Sequence, residues 1–98
     1  MFCYKLHRTR IEAYELVLAI CDKELVGKKL RKEPEFEVNE NFYCDKECDA
    51  EKALKLIKDC TIANLVGKKI VALALEKKFI TKENIILIGD IPHAQIIK

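Results

Sequence analysis

The sequence has no tryptophan, a single methionine, a single glutamine and only two histidines, His7 and His93. Without tryptophan, and with only Phe2, Tyr4 and Tyr14 near the basic residues of its first third, the chain has little to stack on bases. Any nucleic acid would be held mainly through phosphate or folded RNA shape. There is no Gly-rich phosphate loop, no HExxH pair and no nucleophile elbow, so the sequence signatures of those enzyme classes are missing. Apolar runs such as Leu16 to Cys21 and Ile85 to Ile88 fall far short of the roughly 20 residues a bilayer span requires. The opening MFCYKLHRTR is too charged for the apolar core of an export signal, so a cytosolic address is expected. With no export signal, five cysteines are expected as free thiols rather than a disulfide framework. Scarce glutamine beside abundant Lys, Glu and Ile points to a heat-adapted source.

What is present suits one folded domain spanning residues 1–98. At 11.3 kDa the chain can build one core but not two, and with half of its residues apolar it has enough to fill that core. The net charge of +2 hides a strong segregation: residues 1–32 are net +4, residues 33–51 net −7 and residues 52–98 net +5. A fold that separates these segments would carry a basic face on a nearly neutral protein, although lysines on helix backs are commonly just solvated surface.

Phe2 to Thr9 alternates loosely and reads as an edge strand, with Cys3, Lys5 and His7 on one face and Tyr4, Leu6 and Arg8 on the other. Tyr14 to Asp22 is apolar on both faces and predicts a central strand, joined to the first through Arg10 to Ala13. Lys23 to Leu30 suggests a helical turn or a bend at Gly27, and Glu33-Pro34 stops any helix there. Phe36 to Tyr43 alternates and predicts a third strand. Asp49 is placed to N-cap a helix from Ala50 to about Lys58, with Ala53, Leu54 and Ile57 as its apolar stripe. In Thr61 to Phe79, Ile62, Val66, Ile70 and Leu73 recur at helical spacing, which predicts one long core helix capped by Thr61. Asn84 to Ile88 and Ile91 to Ile97 flank Gly89-Asp90, as in a hairpin with a type II′ turn. Pro92 cannot donate to a ladder, which predicts an edge position or a bulge for the last strand. Alternation places His93 and Gln95 on one face with Ile91 and Ile97.

Together, TIANLVG at Thr61 to Gly67, GDIPHAQI at Gly89 to Ile96, AICDKELVGK at Ala19 to Lys28 and FY at Phe42-Tyr43 resemble the archaeal domain-of-unknown-function family 424. The likeness spans nearly the whole chain. It implies a small cytosolic single-domain protein, RNA-binding and translation-linked, with no established activity and no catalytic residues to carry over. The family pattern matches at Cys21, Asp22, Gly27, Asn64, Gly67, His93 and Gln95, and departs at Cys44 and Cys48.

The candidate sites are few. Cys44 and Cys48 have a spacing compatible with zinc, but no second pair follows to complete four ligands, so no metal and no cofactor is expected. Cys21, with His93 as base and Asn64 or Gln95 to orient it, would make a sensible thiolate site. The plainer reading is a core thiol and a locally satisfied imidazole. Arg8, Arg10, Lys28, Lys29, Arg31, Lys32, Lys68 and Lys69 are candidates for one phosphate-binding patch, with Asn64, His93 and Gln95 for polar recognition. The pentapeptide LVGKK occurs at Leu25 to Lys29 and again at Leu65 to Lys69, in surroundings that do not otherwise match, which reads as chance.

The expected fold is α+β, with about five mostly antiparallel strands and two helices packed on one face. The expected function is non-enzymatic RNA or ribosome association. The alternatives are a small enzyme at Cys21/His93 and a protein-interaction module using its last strand as a sheet edge.

Overall fold

The computed structural model describes the backbone of residues 1–10 and 14–98, and the side chains of residues 1–8 and 15–98. The connection at residues 11–13 lies outside the described residues. Eight strands are described: β1 (Phe2–Arg10), β2 (Tyr14–Asp22), β3 (Lys29–Lys32), β4 (Glu35–Glu37), β5 (Lys46–Cys48), β6 (Ile62–Val66), β7 (Ile85–Ile88) and β8 (Ile91–Ile97). Three α-helices accompany them: α1 (Glu40–Tyr43), α2 (Ala50–Asp59) and α3 (Lys68–Glu76). Six strands form one mixed sheet in the order β5-β1-β2-β6-β8-β7, and β3 and β4 form a separate small hairpin. The fold is α+β, but the main sheet has six strands rather than five. One central pair, β2 with β6, is parallel.

The long helix read from Thr61 to Phe79 is instead a strand, a glycine and a shorter helix. Ile62 to Val66 lies between β2 and β8, pairing Val17 with Ile62 on one side and Ile62 with Ile97 on the other. A strand inside a covered sheet is apolar on both faces, and over five residues that pattern cannot be told from a buried helix. Thr61 is not a helix cap. Its hydroxyl accepts from the Leu16 N–H at 2.9 Å and donates to Glu15 at 2.9 Å, tying the start of β6 to β2. Consequently Ile62, Val66, Ile70 and Leu73 do not share one stripe: Val66 and Ile70 are in different core clusters, and Leu73 is only partly buried.

Those two clusters lie on opposite faces of the sheet. Phe2, Tyr4, Leu18, Ile20, Ala63 and Leu65 join Ala53, Leu56 and Ile57 of α2 and Ile70, Val71 and Ala74 of α3 in the larger one. Residues of the opposite parity, Cys3, Ala19, Cys21 and Val66, join Leu25, Val38 and Tyr43 in the smaller. The segment Phe36 to Tyr43 is therefore not a strand throughout. Asn39 ends the extended run by accepting the Asn41 N–H at 2.8 Å, and the α1 turn it caps sends Tyr43 into the core. Asp49 caps α2 as its sequence position suggests, accepting the Lys52 N–H at 2.9 Å.

β1 is an edge over only part of its length: Phe2 to Tyr4 pair with the short β5, which no sequence pattern announced, and beyond Tyr4 no strand flanks β1 on that side among the described residues. β8 is not an edge: β6 flanks it on one side and β7 on the other. Pro92 is tolerated because it sits past the end of the β6 ladder, whose last pair is Val66 with His93, so its missing N–H breaks no pairing. The β7–β8 hairpin forms at Gly89-Asp90, but φ is positive at both residues, 53° and 65°, which is the type I′ pattern rather than type II′.

Candidate functional site

Parallel pairing of β2 with β6 brings two chain exits to one end of the sheet. After β2 the chain passes through a 3-10 turn, Lys23–Leu25, into Val26-Gly27-Lys28-Lys29; after β6 it passes through Gly67 into Lys68-Lys69 at the start of α3. Both LVGKK copies thus fall at the same end, and a Glu24–Lys69 ion pair of 3.3 Å links them.

The centre of this end is Asp22. Its carboxylate accepts the N–H groups of Lys69 and Ile70, each at 2.9 Å, and so caps α3 from 47 residues away in the chain. Among the described residues Asp22 is the one buried charged side chain, 3% exposed. Burial pushes its carboxyl above the ordinary range, against the pull of the two N–H bonds. Gly67 makes the approach possible: its φ of 127° and ψ of 152° suit only glycine, and a Cβ there would lie 2.3 Å from the Asp22 carboxyl carbon. Since Asp22 already occupies the first turn of α3, those amides are not offered to an external anion. The anion-attracting groups at this end are the lysine side chains.

The basic candidates divide. Lys28, Lys29, Lys68 and Lys69 are exposed at the strand-end loops, with Lys29 3.7 Å from Glu35. Arg31 and Lys32 follow in the β3–β4 hairpin, where Arg31 Nε donates to the Pro34 carbonyl at 2.9 Å. Arg8 faces Leu16, six residues along the ladder from the Phe2–Asp22 pair, so it lies about 20 Å from the loops at strand spacing. The side chain of Arg10 lies outside the described residues.

The register aligns Asn64 with Gln95 and Val66 with His93 across β6 and β8, all on the face of the smaller cluster. β3, β4 and α1 cover only part of that face. Gln95 and Ile97 are exposed and Asn64 half-buried, whereas His93 is half-buried with Phe36 edge-on at 5.9 Å. Burial lowers the His93 imidazole below its ordinary 6.5. The neutral ring is therefore the form the fold favours; its contribution is complete above 6.5 and is lost as pH falls through the lowered folded value. His93→Leu is expected to flatten the loss of denaturant midpoint seen for the wild type between about pH 7.5 and about pH 5. Parallel losses in both proteins would contradict it.

A Cys21/His93 catalytic pair does not assemble. Val66 stands between them in the register, two strand spacings or about 10 Å apart. Cys21 is fully buried and its thiol is pushed up to about 12 by burial first, with Cys3 directly opposite. A thiol so placed is not a thiolate at neutral pH. Cys44 and Cys48 belong to different clusters, on opposite faces of the sheet, so their spacing does not converge on a metal. Among the described residues no group of three or more Cys, His, Asp or Glu is arranged to hold one. No helix among them is long and apolar enough to cross a membrane.

A mixed sheet with a carboxylate-capped helix and lysines at the exits of its parallel strands defines a small α+β domain with a polar, lysine-rich end. The chain belongs to domain-of-unknown-function family 424: the model described as "Protein of unknown function (DUF424)" matches residues 9–98. It is similar in fold to the crystal structure of an uncharacterized conserved protein from the archaeon Methanopyrus kandleri, with a TM-score of 0.77 and 24% identity over 97% of this chain and 89% of that one. Among the curated proteins, none matches.

Proposed function

We propose that the protein is a cytosolic, non-enzymatic RNA-binding protein, associated with the ribosome or otherwise translation-linked, that grips phosphates with Lys28, Lys29, Lys68 and Lys69. The observation that carries this reading is the convergence of both LVGKK lysine pairs on one end of the sheet. Lysines fix position on a phosphate backbone without reading sequence, and the Asn64–Gln95 pair, with His93 beside it, supplies polar groups for recognition. The inert thiol at Cys21 favours binding over catalysis. With four phosphate contacts, binding to single-stranded RNA is expected to weaken with a log-log salt slope of about −3. Lys28→Ala with Lys29→Ala should reduce that slope by about one to two units. Arg8→Ala, at the far end of β1, should leave it unchanged. Filter binding to total cellular RNA across a salt series measures all three, and no salt-sensitive binding even at low ionic strength would remove the proposal.

A further inference from the structure

Three of the five free thiols meet in the smaller cluster. Cys3 and Cys21 are buried there, and Cys44, the residue that ends α1, packs against them half-exposed. Cys48 and Cys60 belong to the larger cluster, so the sheet separates them from this trio.

Within the trio, the β1–β2 ladder decides which two thiols can join. Cys21 lies directly opposite Cys3. The Lys23 N–H donates to the Met1 carbonyl at 3.2 Å, and in an antiparallel ladder every second pair is of the same kind, so Cys3 and Cys21 form a hydrogen-bonded pair. Such pairs hold their Cβ atoms at the wide end of the cross-strand range, about 5.5 Å, whereas a disulfide needs about 3.5 to 4.5 Å. Cys44 is under no such constraint. Its backbone is extended, with φ −131° and ψ 104°, and the next residue, Asp45, donates its N–H to the Tyr4 carbonyl at 2.9 Å. This holds the chain after α1 against β1, and the Cys44 and Cys3 side chains hydrogen-bond one another.

Exposure divides their roles. The Cys3 thiol is pushed up to about 12, by burial first and then by its bond to Cys44. An oxidant arriving from solvent meets the half-exposed Cys44, with Cys3 in contact behind it.

We propose that Cys44 and Cys3 are a peroxide-sensitive pair, in which Cys44 is oxidised first and Cys3 resolves it, closing a reversible disulfide between the end of α1 and β1. The Cys44 sulfur attacks one oxygen of hydrogen peroxide: the S–O bond forms as the O–O bond breaks, and the other oxygen leaves as water with the thiol proton. The Cys3 sulfur then attacks the sulfur of the Cys44 sulfenic acid. The S–S bond forms, the S–O bond breaks, and the Cys3 proton leaves with the hydroxyl as a second water. Two thiols lose two electrons and the peroxide gains them. A dithiol reductant reverses the bond by exchange.

The five cysteines fall in five different tryptic peptides, with Cys3 in residues 1–5 and Cys44 in residues 33–46. Native protein treated with a small excess of hydrogen peroxide is expected to lose about 2 Da, and two of its five thiols should no longer react with N-ethylmaleimide in denaturant. Digestion without reductant should yield residues 1–5 joined to 33–46, and dithiothreitol should restore both thiols. Cys3→Ser should leave Cys44 as a sulfenic acid that dimedone traps. Cys44→Ser, at the half-exposed position, should slow the oxidation of Cys3 at least about tenfold without changing the melting temperature. Protein unfolded in urea should lose the preference for this one pair. A Cys3–Cys21 disulfide, a Cys44 disulfide between two chains, or Cys44 driven to sulfinic acid with Cys3 still reduced would each overturn the proposal. So would five intact thiols after an exposure that oxidises the unfolded chain.

Discussion

Gly67→Ala is expected to remove about 4 kcal/mol or more of folding stability, from backbone strain and from loss of the α3 cap acting together. The position has φ 127° and ψ 152°, a region essentially reserved for glycine, and holding another residue there costs about 1 to 3 kcal/mol. The added Cβ would lie within 2.3 to 2.7 Å of three atoms of the Asp22 carboxylate, which is buried and has no flexible end to withdraw. The carboxylate must retreat from the Lys69 and Ile70 amides, and each hydrogen bond to a charged group is worth about 1.5 to 3 kcal/mol. Natural domains have only about 5 to 15 kcal/mol in total, so most of the margin would go. Urea or guanidinium midpoints measure it. A loss below about 1 kcal/mol would mean that β6 and α3 join with more freedom than this geometry allows.

Asp22→Ala should be nearly as costly, about 3 to 5 kcal/mol, because it strands two N–H groups at the start of α3, one of them fully buried. Asp22→Asn keeps the shape but offers one acceptor oxygen and turns an NH₂ toward the other amide. Its loss should be smaller, about 1 to 3 kcal/mol. The double variant separates strain from capping. With the carboxylate gone, the methyl group added at position 67 meets less resistance, so Asp22→Ala and Gly67→Ala together should cost less than the sum of the two singles. Strict additivity in denaturant midpoints would show that the two residues do not act on one another.

Neither effect was legible in the local sequence. Asp22 reads as the last residue of an apolar strand, and nothing nearby marks it as the cap of a helix beginning at Lys68. Gly67 reads as an interruption in a helical repeat because Ile62, Val66 and Ile70 happen to recur every four residues, which a buried strand followed by a helix can also produce. The LVGKK repeat shows the same limit. The two copies differ in local structure and look accidental, yet the parallel pairing of β2 with β6 delivers both lysine pairs to one end.

The sequence by itself determined the elements with strong local signals: the paired first strands, α2 behind its Asp49 cap, the hairpin at Gly89-Asp90, and His93 and Gln95 on a common face. In each, the deciding interactions span a few residues: a cap, a turn or an alternation. Only the tertiary structure decided that residues 62–66 are a strand, that Asp22 is the cap of α3, that Val66 separates Cys21 from His93, and that β7 rather than β8 is the open edge. Those outcomes depend on which strands become neighbours, set by burial across segments dozens of residues apart, and no local pattern records that choice.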